Sequence, residues 1–492
     1  MTTTPTSTRA SAADRVRSVR WPVLLFAGLC VALLVGALVY PTYPNYDSVY
    51  SLLWGRELLH GHLPSFDAYR APTEHPLGVL FGAILALLGR GGDRVMVFAT
   101  LASFAVLVAG LYRLGRVAFT PLIGVVAGIV LCTRFDFPFL AARAYIDIPY
   151  LALVIWAAAL EAERPRRGTP VLGLLALAGL LRPEAWVLSG VYWLYLFPGT
   201  TWEQRIRTAL IVGSAPLLWL ATDAVVTGDP LFSQHHTSGL AEELGRQKGL
   251  NQVPSATVSF LKSLVKLPVA VAGLIGLTLA AWLTPTRLRV PLGLLLIGLG
   301  TFGLVGAAGL SVINRYLLVP SLMVMLFGAV AVGGWTMLVD GRARRAWAVL
   351  ALAGVVFAGV WTLLRVDLQR LTSELQFRGD SRQALARLLD EPAVRAALKC
   401  GPVTTPNHKL VPDVRWILKL PEHGVIARSD VAHAKGVSTG VAIVAANRKV
   451  LLRQSFNPDD VTALDTAYSL PPAGFTRIDV PSPYYAAYVR CP

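Results

Sequence analysis

The sequence predicts an α-helical polytopic membrane protein with about eleven transmembrane helices and a small C-terminal extracytoplasmic α/β domain. Three observations predict it. Hydrophobic residues make up 54% of the 492 and charged residues only 15%, a balance too apolar for a water-soluble chain. The apolar residues are gathered into runs near span length, and arginines cluster in the short segments between them. There they orient helices in a bilayer, so the formal net charge of +16 does not indicate nucleic acid as a partner. Beyond residue 365 the composition turns mixed polar, as befits a water-facing domain.

Residues 1–20 are rich in Thr, Ser and Ala and carry Arg9, Arg15, Arg17 and Arg20, which predicts a disordered tail held in the cytoplasm. Pro22 to Tyr40 is long enough to cross and reads as a signal anchor running outward. After it, Pro44 and Asn45 form a turn, and Tyr46, Val49, Tyr50 and Leu53 repeat at helical spacing. That predicts an amphipathic helix lying along the bilayer surface, with Asp47 in its first turn. Leu77 to Leu88 is too short to cross easily and is expected to be interfacial or re-entrant. If it does not cross, Val95 to Leu111 runs inward and delivers Arg113 and Arg116 to the cytoplasm. The remaining spans then alternate: Pro121 to Thr133, Ile148 to Leu160, Val171 to Leu181, Ala185 to Phe197, Ile206 to Val226, Leu264 to Leu283, Val290 to Leu310, Leu317 to Leu338 and Ala346 to Leu364. Each inside loop in this register holds at least two Arg, as the positive-inside bias requires. All eight His, at 60, 62, 75, 235, 236, 408, 423 and 433, fall outside.

The membrane domain thus covers 21–365 and the outer domain 366–492. In the latter, Asp380 is expected to cap a helix, and Val414 to Leu420, Val441 to Ala446 and Val450 to Leu452 are expected as strands. Cys400 and Cys491 bracket this region, whereas Cys30 and Cys132 lie in apolar runs. The bracketing pair is either a disulfide or two unrelated thiols, and an oxidising outer compartment favours the disulfide.

On the outer side this topology collects Asp47, Arg56, Asp67, Arg70, Glu74, His75, Asp136, Arg143, Asp147, Arg182, Glu184 and Arg315. Ionisable residues near bilayer depth cost about 2.5–3.5 kcal/mol each on insertion scales, so they tend to face a functional cavity. Each has a plainer reading. Asp47 offsets a helix dipole, Arg143 and Asp147 form an i,i+4 pair, the Arg182-Pro-Glu184 charges anchor helix ends, and Arg315 snorkels. His235 and His236 are adjacent and diverge on any regular element, which makes a poor metal pair. A transporter or lipid flippase would also explain the spans, but it would place acids mid-helix and show paired broken helices.

The order of features resembles the GT-C superfamily of integral-membrane glycosyltransferases, in the family 39-like branch of protein O-mannosyltransferases and aminoarabinose transferases. The residues that carry the resemblance are Asn45-Tyr-Asp47 after the first span, Glu74-His-Pro-Leu77, Ala142-Arg-Ala-Tyr-Ile-Asp-Ile-Pro149, Leu181-Arg-Pro-Glu184, and Asn314-Arg-Tyr-Leu317 with Pro320. Ser48 stands where these enzymes usually carry Glu. The resemblance implies inverting transfer of a sugar from a polyprenyl-phosphate donor in the bilayer to a glycan, lipid or protein acceptor, at the outer face of a bacterial plasma membrane. It implies Asp47 as base and Arg315 as the main grip on the phosphate, helped by Arg143 and Arg182. Asp147, Glu184, Tyr316, Glu74 and His75 would bind substrate. A divalent metal ion is the one cofactor it allows, with Glu74 and His75 as candidate ligands.

Overall fold

The computed structural model describes residues 12–243, 245–365, 368–455 and 461–492. Residues 1–11 of the expected tail lie outside the described residues, and the first helix, Ala12–Val39, already begins inside that segment. Most expected spans overlie a helix for most of their length, but Leu264 to Leu283 is broken at Lys266, where helices Val253–Val265 and Leu267–Leu283 meet at a bend of 104°. Among the described residues, six helices are long and apolar enough to cross a membrane, and up to eight if each of two bent pairs counts as one span. This is a multi-pass membrane protein. The helices over three other expected spans, Asp147–Glu163, Thr169–Gly179 and Glu184–Leu196, have 17, 11 and 13 residues.

The bundle is built around Leu318–Gly333, which is lined on most sides by other helices: 83% of the span containing it is buried, against 6% for Trp21–Val39 and none for Arg342–Val360. Between apolar helices in lipid the attraction is van der Waals contact, so close approach decides the packing. Helix Leu267–Leu283 meets the central helix at Gly276, where a Cβ would collide with the Phe327 carbonyl.

The helix after the first span, Tyr46–Leu59, does not lie on the surface as its spacing suggests. Ser48 to Gly55 are all buried, polar and apolar faces alike. One face is taken by the short helix Pro76–Ala86, which approaches so closely that a Cβ at Gly82 would strike the Ser51 carbonyl. The other is tied to the turn between helices Asp136–Ala142 and Asp147–Glu163. Asn45 caps its own helix by accepting from the Asp47 and Ser48 amides at 2.8 and 3.4 Å, and also donates its backbone and side-chain N–H to the Arg143 carbonyl at 2.8 and 3.1 Å. Ser48 donates to the Ala144 carbonyl at 2.6 Å. Ala144 has a φ of 53°, so Arg143 and Asp147 are not on one helix and do not pair as an i,i+4 couple.

The C-terminal domain has its own apolar core, centred on Leu385, Leu389, Val403, Val414, Val441 and Ile443. Its five-stranded sheet runs β2-β1-β3-β5-β4, with β1 Val403–Thr405, β2 Val425–Ala427, β3 Gly440–Ala445, β4 Thr476–Arg477 and β5 Tyr485–Arg490. β1 is parallel to β2 and β3, and β5 is antiparallel to β3 and β4. Cys400 and Cys491 are joined, with Cα atoms 5.1 Å apart, and so tie the entry of β1 to the exit of β5. Only the expected strand at 441–446 is a strand. Val414 to Leu420 is mostly helix Val411–Leu418, started by Pro412 and turned into burial by Val411, Val414, Ile417 and Leu418 at helical spacing. Val450 to Leu452 lies in helix Arg448–Gln454, whose N-cap Asn447 accepts from the Val450 amide at 2.9 Å. Asp380 caps nothing, being inside the continuous helix Leu368–Asp390.

The domain is docked on the membrane helices through Val411–Leu418. The buried Arg415 pairs with Glu57 at 2.5 Å, and Trp416 joins the core of the bundle. Gly82→Ala is expected to loosen the contact beneath this dock. A clash with backbone cannot be relieved by a rotamer, and the cost should be at the upper end of about 1–3 kcal/mol, visible as a lowered thermal midpoint in detergent.

Candidate active site

Three carboxylates stand at the start of three helices, where the exposed amides of a helix N-terminus favour negative charge. Asp47 is the second residue of Tyr46–Leu59, Asp147 the first of Asp147–Glu163, and Glu184 the first of Glu184–Leu196. The loop ties at Asn45 and Ser48 bring the first two together, and Arg315, in the 3-10 turn Asn314–Leu317 at the head of the central helix, reaches both. Its Nη1 lies 3.2 Å from Asp47, while Nε and Nη2 grip the two oxygens of Asp147 at 3.2 and 2.9 Å. Arg182 continues the series, donating to Asp147 and to Glu184 at 3.0 Å through Nε and 2.6 Å through Nη2. The result is one alternating chain, Asp47, Arg315, Asp147, Arg182, Glu184. Tyrosine rings pack against its cations: Tyr145 against Arg315, and Tyr150 and Tyr316 against Arg182, at 5.3–5.8 Å.

Asp147 is wholly buried, and Asp47 keeps 22% of its side chain exposed. Asp47 opens onto a cavity of 740 Å³ also lined by Glu184, Arg182, Arg315, Tyr316, His75 and Arg143. Eight basic side chains line it against four acidic ones. The two arginines of the chain are already paired with carboxylates, Arg315 with Asp47 and Asp147 and Arg182 with Asp147 and Glu184. Arg143 is different. It forms no ion pair among the described residues, lies 4.0 Å over the Tyr43 ring, and leaves Nη1 without a hydrogen-bond partner there.

Facing it, the C-terminal domain supplies a basic roof. Arg378 and Arg453 share the single carboxylate of Glu374, each at 2.6 Å. Among the described residues the Lys409 amine donates to the Ser455 carbonyl at 2.5 Å, and burial together with the neighbouring Arg378, partly offset by Asp465, pushes it from 10.5 down to about 8. Among the described residues Glu374 is the one carboxylate paired with Arg378 and Arg453, and Asp465 acts on Lys409 from nearby.

The far wall holds residues the sequence reading passed over. Trp219 and Asp223 come from helix Trp202–Thr227 and Ser233 from Phe232–Glu243. The Ser233 hydroxyl accepts from the Trp219 indole at 2.9 Å and lies within hydrogen-bond reach of both Asp223, at 3.1 Å, and the buried Glu74, with one proton to give between them. Burial, and then Asp223 beside it, raise Glu74 from 4.5 to about 8. His75 turns away to Trp219, with ring centroids 5.7 Å apart, and burial followed by the nearby Arg182 and Arg315 drops it to about 3. Asp223 could have been found as an acid inside an apolar run. Lys409 and Arg453 could not, since only the folded sheet carries them to the cavity. Glu74 is engaged by Ser233 and His75 packs on Trp219, and no group of three His, Cys, Asp or Glu among the described residues could hold a metal ion. The donor set does not fit the divalent ion, and no step below passes through one. His235 pairs with Asp229 and His236 with the Ala71 carbonyl, at 2.7 and 2.9 Å.

No family model matches this chain, and no curated protein does. Among solved structures it is similar to ArnT from Cupriavidus metallidurans in the apo state, at 12% identity and a TM-score of 0.57 over 97% of this chain and 98% of that one. It is also similar to the oligosaccharyltransferase AglB from Archaeoglobus fulgidus in complex with an inhibitory peptide and a dolichol-phosphate, at 10% identity and a TM-score of 0.52 over 89% and 71%. At such identities the likeness is one of fold.

Two outcomes follow for stability. Removing one partner of a buried ion pair strands the other, so Asp147→Ala should cost about 3–5 kcal/mol, whereas Asp47→Asn, half-exposed and amide for acid, should leave the thermal midpoint within a few degrees of wild type. Glu74 binds its proton more tightly folded than unfolded. Its contribution is complete below pH 4.5 and is lost as pH rises through about 8. The midpoint of wild type should therefore fall across that window, and that of Glu74→Gln should fall less.

Proposed function

We propose that this chain, which has the GT-C fold, is a membrane glycosyltransferase that moves a sugar from a polyprenyl-phosphate donor to an acceptor hydroxyl at the extracytoplasmic face. The observation that carries the reading is the juxtaposition in one cavity of an oriented, partly exposed carboxylate and a set of basic side chains that outnumber the acidic ones. A carboxylate next to a phosphate grip is what displacement at an anomeric carbon needs.

In this reading the acceptor hydroxyl enters beside Asp47. As its oxygen bonds to the anomeric carbon, its proton passes to the Asp47 carboxylate. The bond from that carbon to the phosphate oxygen breaks, and the electron pair leaves with the lipid phosphate. Attack opposite to the leaving group inverts the centre, through a transition state with oxocarbenium character. Arg315 aims Asp47, and Asp147 fixes Arg315 from the buried side. The phosphate role falls to Arg143, Lys409 and the Arg378 and Arg453 pair, because a developing negative charge is stabilised best by donors already in place and not otherwise neutralised. Trp219, Asp223 and Glu184 remain to contact the sugar. Asp47, Asp147 and Glu184 stand at helix starts and Asp223 lies near the end of its helix, and this favours chemistry at an interface over passage through the membrane. The Arg-rich loops at the opposite end would face the cytoplasm, with the N-terminus, and the disulfide-bearing domain would lie outside.

Transfer from polyprenyl-phosphate sugars in membranes tests the reading. Asp47→Asn should lower turnover by roughly 10²- to 10⁴-fold while the protein stays folded; transfer by Asp47→Asn at the wild-type rate, or none by wild type with any such donor, would contradict it. Lys409 should grip phosphate only when protonated, so KM for the donor should rise as pH passes about 8, and Lys409→Met should abolish that rise.

A further inference from the structure

A second cavity, of 580 Å³, lies at the seam between helix Tyr46–Leu59 and the C-terminal domain. It shares no lining residue with the first. Its wall includes Arg56, Lys419 and Trp416, with His60, His62 and His423 around them and the carboxylates of Glu57 and Glu422 at the same wall.

Among the described residues Arg56 donates to backbone carbonyls alone, those of Arg415 at 3.3 and 3.4 Å and Leu420 at 3.0 Å. The nearest acid in sequence, Glu57, is occupied by Arg415 and Ser65. Burial and then the adjoining Arg415 lower the basicity of Arg56, against the opposing pull of Glu57. Trp416 supplies the independent observation. It is 3% exposed, it lies 5.6 Å beneath the Arg56 guanidinium, and its indole N–H finds no acceptor among the described residues. A buried N–H without a partner is costly, and an acceptor delivered into this cavity would remove that cost.

The lower edge of the cavity is Ala86, Gly89 and Arg90, the end of the short helix Pro76–Ala86. From there Leu80, Ile84, Leu87 and Leu88 point outward, at 55–72% exposure, along one face at helical spacing. A free inorganic ion has no use for such a face, but an amphiphile does.

We propose that the seam cavity binds the phosphate headgroup of an anionic membrane lipid, held by Arg56, Lys419 and the Trp416 N–H, with its acyl chains along Leu80, Ile84 and Leu87. Such a lipid bridges the membrane helices and the docked domain. The site is independent of the transfer reaction.

Native mass spectrometry of the full-length protein, delipidated in detergent and titrated with dioleoylphosphatidylglycerol, tests it. One phosphatidylglycerol per chain should be retained, with dioleoylphosphatidylcholine and glycerol phosphate not retained. Arg56→Gln should weaken retention roughly tenfold, as for loss of one charge-assisted contact. Lys419→Gln and Ile84→Gln, both at exposed positions, should weaken it severalfold, and they decide the matter if Arg56→Gln fails to fold. Equal retention of phosphatidylcholine, variants that retain lipid like wild type, or glycerol phosphate binding as tightly as the lipid would overturn the proposal.

Discussion

Arg315 is the link on which the site depends. A single guanidinium at the head of the most buried helix holds Asp47 and Asp147, acids from two different connections of the chain. A buried cation of this kind is tolerable only with its counter-charges in place, so the three residues and the elements that bear them are bound to a common geometry. Asn45 and Ser48 reinforce it from the backbone side by tethering the Asp47 helix to the Arg143 and Ala144 carbonyls. Arg182 extends it to Glu184. Charge alternates along this chain, and its end, Asp47, opens onto the cavity that Arg315, Arg182 and Glu184 also line.

Electrostatics divide the cavity in two. The floor is a closed network of carboxylates and guanidiniums, and the roof, made by Lys409, Arg378 and Arg453 with Arg143 beside it, carries positive charge that Glu374 alone does not balance. The floor belongs to the bundle and the roof largely to the C-terminal domain. That gives the domain a chemical part to play, and it explains why it is fastened twice: internally by Cys400 and Cys491, and onto the bundle by Arg415 and Trp416.

Much of this was legible in the chain. Asp47, Asp147, Arg182, Glu184 and Arg315 each stand where an apolar run meets a polar turn, and alternation of arginine-rich loops puts all five at one end. Their pairing was not legible, because which cation meets which acid depends on the Ala144 turn and on helices separated by more than a hundred residues. The surface reading of Tyr46–Leu59 failed because Gly82 lets a second helix cover its polar face, a contact invisible to periodicity. In the C-terminal domain, the apolar runs at 414–420 and 450–452 suggested strands, but Pro412 and Asn447 start helices there. Short strands such as β1 and β2, three residues each, carry too little pattern to be read at all.

The central claim is that one cavity holds both the base and the phosphate grip. An experimental map of the protein with a bound polyprenyl-phosphate sugar tests it most directly. The account predicts the phosphate between Arg143 and Lys409, the anomeric carbon turned towards Asp47, and Asp47 and Asp147 both still on Arg315. A phosphate bound at the opposite end of the bundle, or Asp47 and Asp147 parted from each other, would contradict it.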